Sequence, residues 1–374
     1  MTSGPLRILQ IYPKGDFFTG AAIQLWELAR GLAGRGHRVV IATPPSETWA
    51  ARCAEAGLIH AAIVMRRAWD PRAAWRLARL IRQERIQIAH AHKGRARTLT
   101  LLAGLMGARA LLVLNRGVSF PIDGATRRVG YTNRHIHAIV AVCESIKRGL
   151  VSAGVPAEKI SVIYSGTDVE CFHPGVDGAP VRRELGLAAD DVVITQIGVR
   201  SWRGWRDVLD AMPAVVERVA RARLLLVGAP PPRIAEIAEQ AGARGLEDRV
   251  LAIGHRSDVP AILAASDVVV DASYAGLGIT GSIREALACE RPVVATNIEG
   301  MPELVLDGET GLLVAPRSPA ELADAIVRLV SDPTAAQTMA RAGRKRVEAL
   351  FSQRAKVDAT EALYRQIVAA AGRA

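Results

Sequence analysis

Aromatic side chains make up only 4% of this 374-residue sequence, and it carries just four cysteines. Each shortage excludes something. With so few rings, a core that draws on 50% hydrophobic residues must be built mainly from Ala, Val, Leu and Ile. Such small, branched side chains suit parallel strands covered by helices on both faces. Cys53, Cys143, Cys171 and Cys289 are scattered, with neither metal-ligand spacing nor the density of a disulfide scaffold. They read as reduced thiols of a cytoplasmic protein, and no metal site is expected. The longest apolar region, residues 98–114, is broken by Gly107 and Arg109. It reads as a helix, a turn and a strand, not as a membrane span of about 20 residues. The first apolar stretch, Leu6 to Tyr12, runs into Lys14 and Asp16 without a small-residue cleavage site, so no secretory signal is expected.

Acidic charge is scarce in one half only. Residues 1–170 hold 24 Lys and Arg against 11 Asp and Glu, whereas residues 171–374 hold 24 against 26. The net charge of +11 therefore resides in the N-terminal half. A basic half suggests an anionic partner, and the alternative is a solvated basic face.

Short apolar runs alternate with helical patterns throughout. In the first half strands are expected at 6–11, 38–42, 61–64, 88–90, 110–114 and 138–142. In the second half they are expected at 192–197, 223–227, 250–253, 268–271, 292–295 and 311–314. Strand–helix alternation implies parallel sheets with right-handed crossovers. The Pro- and Gly-containing segment 172–180 reads as a linker. The expected organisation is two Rossmann-like α/β domains facing across a cleft, an N-terminal one at 1–173 and a C-terminal one at 181–352, with a C-terminal helix at 353–374 packing back on the first domain. Ligands of doubly wound sheets lie at the carboxyl ends of the strands.

The segment from Ser266 to Pro316 carries the strongest chemical signal. A strand ends at Asp271, a loop Gly276-Leu-Gly-Ile-Thr-Gly281 follows, and a helix begins near Ser282. Backbone N–H groups of Gly278, Ile279, Thr280 and Gly281 at a helix start form an anion-binding arrangement, and glycine lets a diphosphate come close. Glu285, about one turn into the helix, can accept two hydrogen bonds from ribose hydroxyls. Its simpler role would be pairing with the helix dipole.

This segment resembles the donor-binding signature of glycosyltransferase family four, retaining enzymes of GT-B fold. Glu285-Ala-Leu-Ala288, Pro292-Val-Val-Ala-Thr296, Pro302-Glu303 and Gly308-Glu-Thr-Gly-Leu-Leu-Val314 match it. Residues 19–43 and 138–174 resemble the family's first glycine loop and its mid-chain segment, so the likeness spans nearly the whole chain. It implies a nucleotide-diphosphate sugar as donor substrate and no separate cofactor. It implies that Arg200 and Arg203 neutralise the donor diphosphate, that Gly20 lies near donor phosphate or acceptor, and that Asn115 or Arg116 replaces the family's histidine near the reacting sugar. Asp168 matches a family position and reads as structural near the hinge, and His90 and His92, which end the preceding strand, either line the cleft or are structural histidines. The family's first glutamate, a donor-sugar contact, is replaced here by Leu277. Retaining transfer by front-face attack uses no protein nucleophile, in line with the lack of a Ser–His–Asp or paired-carboxylate pattern.

The acceptor is expected to be a lipid-linked or lipopolysaccharide-type cell-surface glycan. That expectation rests on residues 70–85, where Asp70 caps a helix with Pro71 at its first position. Ala74, Leu77, Ala78 and Ile81 form its buried stripe, and Arg72, Trp75, Arg76, Arg79 and Arg82 share the other face. A tryptophan among arginines resembles an interfacial helix at an anionic membrane, here the inner face. A solvated basic helix is the alternative. Two further readings compete: a nucleotide-sugar epimerase of the same architecture, and a non-catalytic nucleotide-sugar-binding protein. No nucleic-acid motif is present, so no nucleic-acid partner is expected.

Overall fold

The computed structural model describes residues 4–17, 19–120, 122, 124, 130–276 and 278–372. Contacts divide the chain into two units, Met1–Gly166 with Gln353–Ala374, and Thr167–Ser352. The division falls ahead of the boundary at 173 read from the prolines and glycines. The reason is hydrogen bonding: Thr167 N donates to Phe351 O at 2.8 Å, and Arg344 donates to Phe172 O at 3.5 Å.

The first unit is built on a seven-stranded parallel sheet in the order β3-β2-β1-β4-β5-β6-β7. Its strands are β1 Arg7–Ile11, β2 Arg38–Thr43, β3 Ile59–Ala62, β4 Ile88–His92, β5 Leu111–Arg116, β6 Ile136–Ala141 and β7 Ile160–Val162. β7, only three residues long, was not expected from the sequence. β3 begins two residues earlier than its apolar run, because Val40 to Thr43 of β2 set its register against Ile59 to Ala62. Helix α1 (Gly20–Gly34) is capped by Thr19 and buries Ala22, Leu25, Leu28, Ala29 and Leu32, the stripe its 3.6-residue period prescribes. Helices α2 (Glu47–Glu55), α3 (Pro71–Gln83) and α4 (Gly94–Leu105) follow. Asp70 caps α3, its Oδ1 accepting from Arg72 N at 3.0 Å and Ala73 N at 3.1 Å.

The C-terminal helix Gln353–Ala371 belongs to this unit and packs on α1. A Cβ on Gly31 would stand 2.5 Å from Val357 Cγ2, so the two helices meet where a side chain is absent. A charge cluster fastens the same helix. Glu361 accepts from Arg35 Nη1 at 2.8 Å and pairs with Arg365 at 2.7 Å and the buried His37 at 3.2 Å. These partners, Arg35 foremost, hold the Glu361 carboxyl down at about 2. An unfolded glutamate titrates near 4.3. The cluster's contribution is therefore complete above about pH 4.5 and fades as pH falls toward 2. Melting curves should show wild type above Glu361→Gln at pH 7, with the gap closing below about pH 4.5. A gap constant down to pH 3 would contradict this.

The second unit holds a six-stranded parallel sheet in the order β10-β9-β8-β11-β12-β13. Its strands are β8 Val192–Ile197, β9 Ala222–Val227, β10 Val250–Ile253, β11 Val268–Asp271, β12 Val293–Thr296 and β13 Leu312–Val314. The valine-rich runs of β11 and β12 are buried throughout, as expected of strands covered on both faces. The strand order reverses between β8 and β11, so the crevice of this unit lies where those two strands end. Among the described residues no helix is long and apolar enough to cross a membrane.

Candidate functional site

β8 and β11 deliver two side chains to that crevice. After β8 the chain turns at Gly198, passes a short 3-10 turn at Ser201–Arg203, and enters the Trp205–Arg218 helix through Gly204. Gly204 has φ +65°, and a Cβ there would lie 1.9 Å from the carbonyl oxygen of Ala272. Only glycine allows this approach, and it brings the β8 loop against the end of β11.

Arg203 then reaches Asp271, the last residue of β11, which is fully buried. Nη1 lies 2.8 Å from Asp271 Oδ2 as an ion pair. Nη2 donates to Ile197 O at 2.7 Å and to Ser282 Oγ at 3.1 Å. Among the described residues the Arg203 Nε–H makes no hydrogen bond, and Nη1 is held by the ion pair alone. Gln196 braces the loop: its amide donates to Arg203 O at 3.0 Å and accepts from Ala272 N at 3.3 Å. Arg200 is exposed and lies over the Trp202 ring at 5.7 Å.

The helix Gly281–Ala288 starts from the loop that follows β11. Thr280 stands at its N-cap without a side-chain cap bond, and its buried hydroxyl has no partner. The first turn holds no acid. Among the described residues, then, no side chain caps its first amide groups, which a helix start leaves without intrahelical partners. Gly281 matters for reach: a Cβ there would be 3.3 Å from Glu285 Oε1 and 3.6 Å from Arg284 Nη2. Burial raises the Glu285 carboxyl above the usual range, while Arg284 and Arg203 oppose that shift. Burial also brings Arg284 down to about 10. The second unit thus gathers Arg203, Thr280, Gly281, Ser282 and Glu285 at one end of its sheet. Gly278 O accepts from Gly300 N at 3.1 Å, and Ile279 is half-buried in the same loop. Leu277 lies outside the described residues.

The remaining residues singled out from the sequence lie in the first unit, except Asp168. Asn115 and Arg116 end β5. Arg116 is engaged by its own loop, donating to Tyr131 OH at 3.2 Å and to Phe120 O. Gly20 opens α1, and a Cβ there would meet nothing within 4 Å, so packing does not require glycine. His90 and His92 are buried rather than placed on an open lining. His90 Nδ1 is 2.6 Å from Tyr364 OH, and His92 Nε2 is 2.7 Å from Gln10 Oε1. Burial lowers His90 to about 3 and puts His92 well below its ordinary value, so both are neutral. Asp168 closes a turn, its Oδ1 accepting from Glu170 N at 3.0 Å.

Sequence reasoning passed over Asp271, Ser282 and Gln196 as site residues. Asp271 had a signal: an acid closing a Val-Val-Val strand is too buried to remain unpaired. A groove of about 770 Å³ lies elsewhere, at the amino ends of β2 and β3 beside Arg30, Arg38 and Arg52. Doubly wound sheets bind ligands at the opposite end, so we do not assign the site there.

The fold and this crevice define a class: parallel α/β units of the GT-B type, with an uncapped helix start beside a buried carboxylate. Residues 18–171 match the model described as Glycosyltransferase Family 4, and residues 192–332 match Glycosyl transferases group 1. The chain belongs to glycosyltransferase family four. It is 31% identical over 225 residues to an alpha-D-kanosaminyltransferase of Streptomyces kanamyceticus, covering 58% of this chain and 56% of that one. The chain thus spans little more than half the length of that curated relative. In architecture it is similar to a glycosyltransferase from Rickettsia africae, with TM-score 0.88 and 21% identity over 97% of this chain and 99% of that one. It is also similar to Anabaena Alr3699/HepE in complex with UDP, with TM-score 0.86 and 23% identity over 96% and 100%.

Proposed function

We propose that this chain transfers a sugar from a nucleoside-diphosphate donor, bound at the carboxyl end of the second sheet, to a glycan acceptor. The observation that carries this reading is the uncapped start of the Gly281–Ala288 helix, flanked by Arg203 and Glu285. In this reading the diphosphate meets the amides from Gly278 to Gly281 and the remaining donors of Arg203, with Arg200 above it. Glu285 accepts from the ribose hydroxyls. Transfer is proposed to retain anomeric configuration. The acceptor oxygen bonds to the anomeric carbon on the face from which the diphosphate leaves, and the acceptor proton passes to the departing phosphate oxygen. Arg200 and Arg203 stabilise the charge that grows on that phosphate. Support for the donor class comes from the UDP complex of Alr3699/HepE.

A panel of UDP-, GDP- and ADP-sugars read by thermal shift tests this. At 100 times its dissociation constant a donor stabilises by about 2.7 kcal/mol. No shift with any of them would sink the reading.

We further propose that the acceptor is lipid-linked and met at an anionic membrane. Arg72, Trp75, Arg76 and Arg79 all lie on the exposed face of α3, with Trp75 50% and the preceding Trp69 73% exposed. Leu105, 77% exposed, ends the neighbouring α4, and Arg82 ties the two helices by donating to Met106 O at 2.9 Å. Apolar anchors inside a basic face suit lipid headgroups, with about 1 kcal/mol per basic residue near the surface. The chain should co-sediment with phosphatidylglycerol vesicles at low salt and be released by 0.5 M salt, roughly, as charges are screened. A variant with Arg72, Arg76 and Arg79 changed to Glu should stay in solution. Binding that ignores both salt and these changes would refute the docking face.

A further inference from the structure

We propose that Glu299 is the residue that recognises the hydroxyls of the donor sugar. The proposal rests on the donor-binding reading above and assigns a role to a loop that reading leaves unused. Glu299 follows β12, with φ +51°. A long side chain rarely takes this left-handed backbone, and such residues persist only where the surroundings enforce them. The surroundings do so here: Gly300 N donates to Gly278 O at 3.1 Å, Met301 N to Ile298 O at 2.9 Å and Ile298 N to Thr296 O at 2.9 Å. The first of these bonds fastens the Glu299 turn directly to the glycine loop that leads into the Gly281–Ala288 helix.

The side chain is as unusual as the backbone. Glu299 Oε2 is buried and has no hydrogen-bond partner. A buried carboxylate oxygen without a donor is an incomplete site. Two more incomplete groups lie on the segment to which its turn is fastened. Ser273 Oγ and Thr280 Oγ1 are both buried without partners, on residues only 1% and 2% exposed. The three groups bracket the segment 273–280, within which Leu277 stands where the resemblance expects a glutamate. A pyranose presents neighbouring hydroxyls that donate to a carboxylate and exchange hydrogen bonds with serine and threonine. The carboxylate absent at position 277 is thus supplied from position 299 of the adjoining loop. Its carboxylate, with one oxygen buried in a half-buried, strained turn, makes it a specificity residue, since a site built to accept from hydroxyls discriminates strongly against a ligand that lacks them.

The test compares affinity for a nucleotide sugar with that for its bare diphosphate, by titration of the full chain. The probes are UDP-glucose, UDP-N-acetylglucosamine and GDP-mannose against UDP and GDP. Glu299→Gln is expected to weaken binding of the preferred nucleotide sugar about ten- to hundredfold, the value of a charged hydrogen bond, while diphosphate binding stays within twofold. Glu299→Gly should lose the same preference and melt no lower than wild type, because glycine fits the backbone. If wild type binds a nucleotide sugar and both variants keep its ratio to diphosphate, the proposal is overturned and the donor reading stands. Equal loss of diphosphate and sugar nucleotide in both variants would mark Glu299 as structural and overturn it as well. If wild type binds no nucleotide at all, the donor reading fails and takes this proposal with it.

Discussion

Arg203→Ala is expected to lower the melting temperature by roughly 6–20 °C, not merely to weaken donor binding. The side chain sits against the fully buried Asp271, and removing one member of a buried ion pair costs about 3–5 kcal/mol, because the other charge is left uncompensated. The alanine variant by itself therefore cannot separate loss of a phosphate ligand from loss of the loop that carries it. Arg203→Ala combined with Asp271→Asn removes the stranded charge. The double variant should recover part of the stability and none of the nucleotide affinity. If the single variant melts with wild type, the pair does not bind the β8 loop to β11 as described.

Gly204→Ala should be nearly as damaging. The position combines a left-handed backbone, about 1–2 kcal/mol for an L side chain, with a Cβ 1.9 Å from the Ala272 carbonyl oxygen. Relief requires the loop to move off β11, which takes Arg203 away from Asp271 and Ser282. We expect a loss of about 2–5 kcal/mol in denaturant unfolding. Gly20→Ala is the contrast. Nothing lies within 4 Å of its Cβ, so stability should change by less than about 0.5 kcal/mol. Equal destabilisation by the two substitutions would contradict the packing described for Gly204.

The contrast between these glycines shows how far the sequence could be read. Both stood in glycine-bearing loops after a strand, and nothing in composition separates them. The difference is a neighbour far along the chain, Ala272, whose carbonyl closes on one and not the other. Strand periodicity located the alternation correctly because strands such as β10, Val-Leu-Ala-Ile, and β11, Val-Val-Val-Asp, are short and mainly apolar runs. It missed β7, whose three residues are too few to show a period, and shifted β3, whose register is set by β2. The α3 face was legible because Ala74, Leu77, Ala78 and Ile81 repeat at helical spacing, and all four are buried. The glycine loop before Gly281 and the helix that carries Glu285 were legible as a local pattern, whereas Arg203 was singled out by the family resemblance. The Arg203–Asp271 pair was not, since 68 positions separate its members. His90 and His92 stayed open between a cleft lining and a structural role for the same reason: their partners, Gln10 and Tyr364, lie at opposite ends of the chain.

The central claim is that the start of the Gly281–Ala288 helix holds a nucleoside diphosphate, with Glu285 on the ribose. Titration calorimetry with UDP, GDP and ADP at pH 7.5 tests it most directly, comparing wild type with Glu285→Gln. The account predicts that at least one diphosphate binds and that the glutamine variant weakens it at least tenfold, the value of a charged hydrogen bond. Its affinity should also fall more steeply with decreasing pH in wild type than in the variant, as the raised Glu285 carboxyl takes up a proton in addition to the diphosphate. Binding that is unchanged by Glu285→Gln, or absent for all three nucleotides, would contradict it.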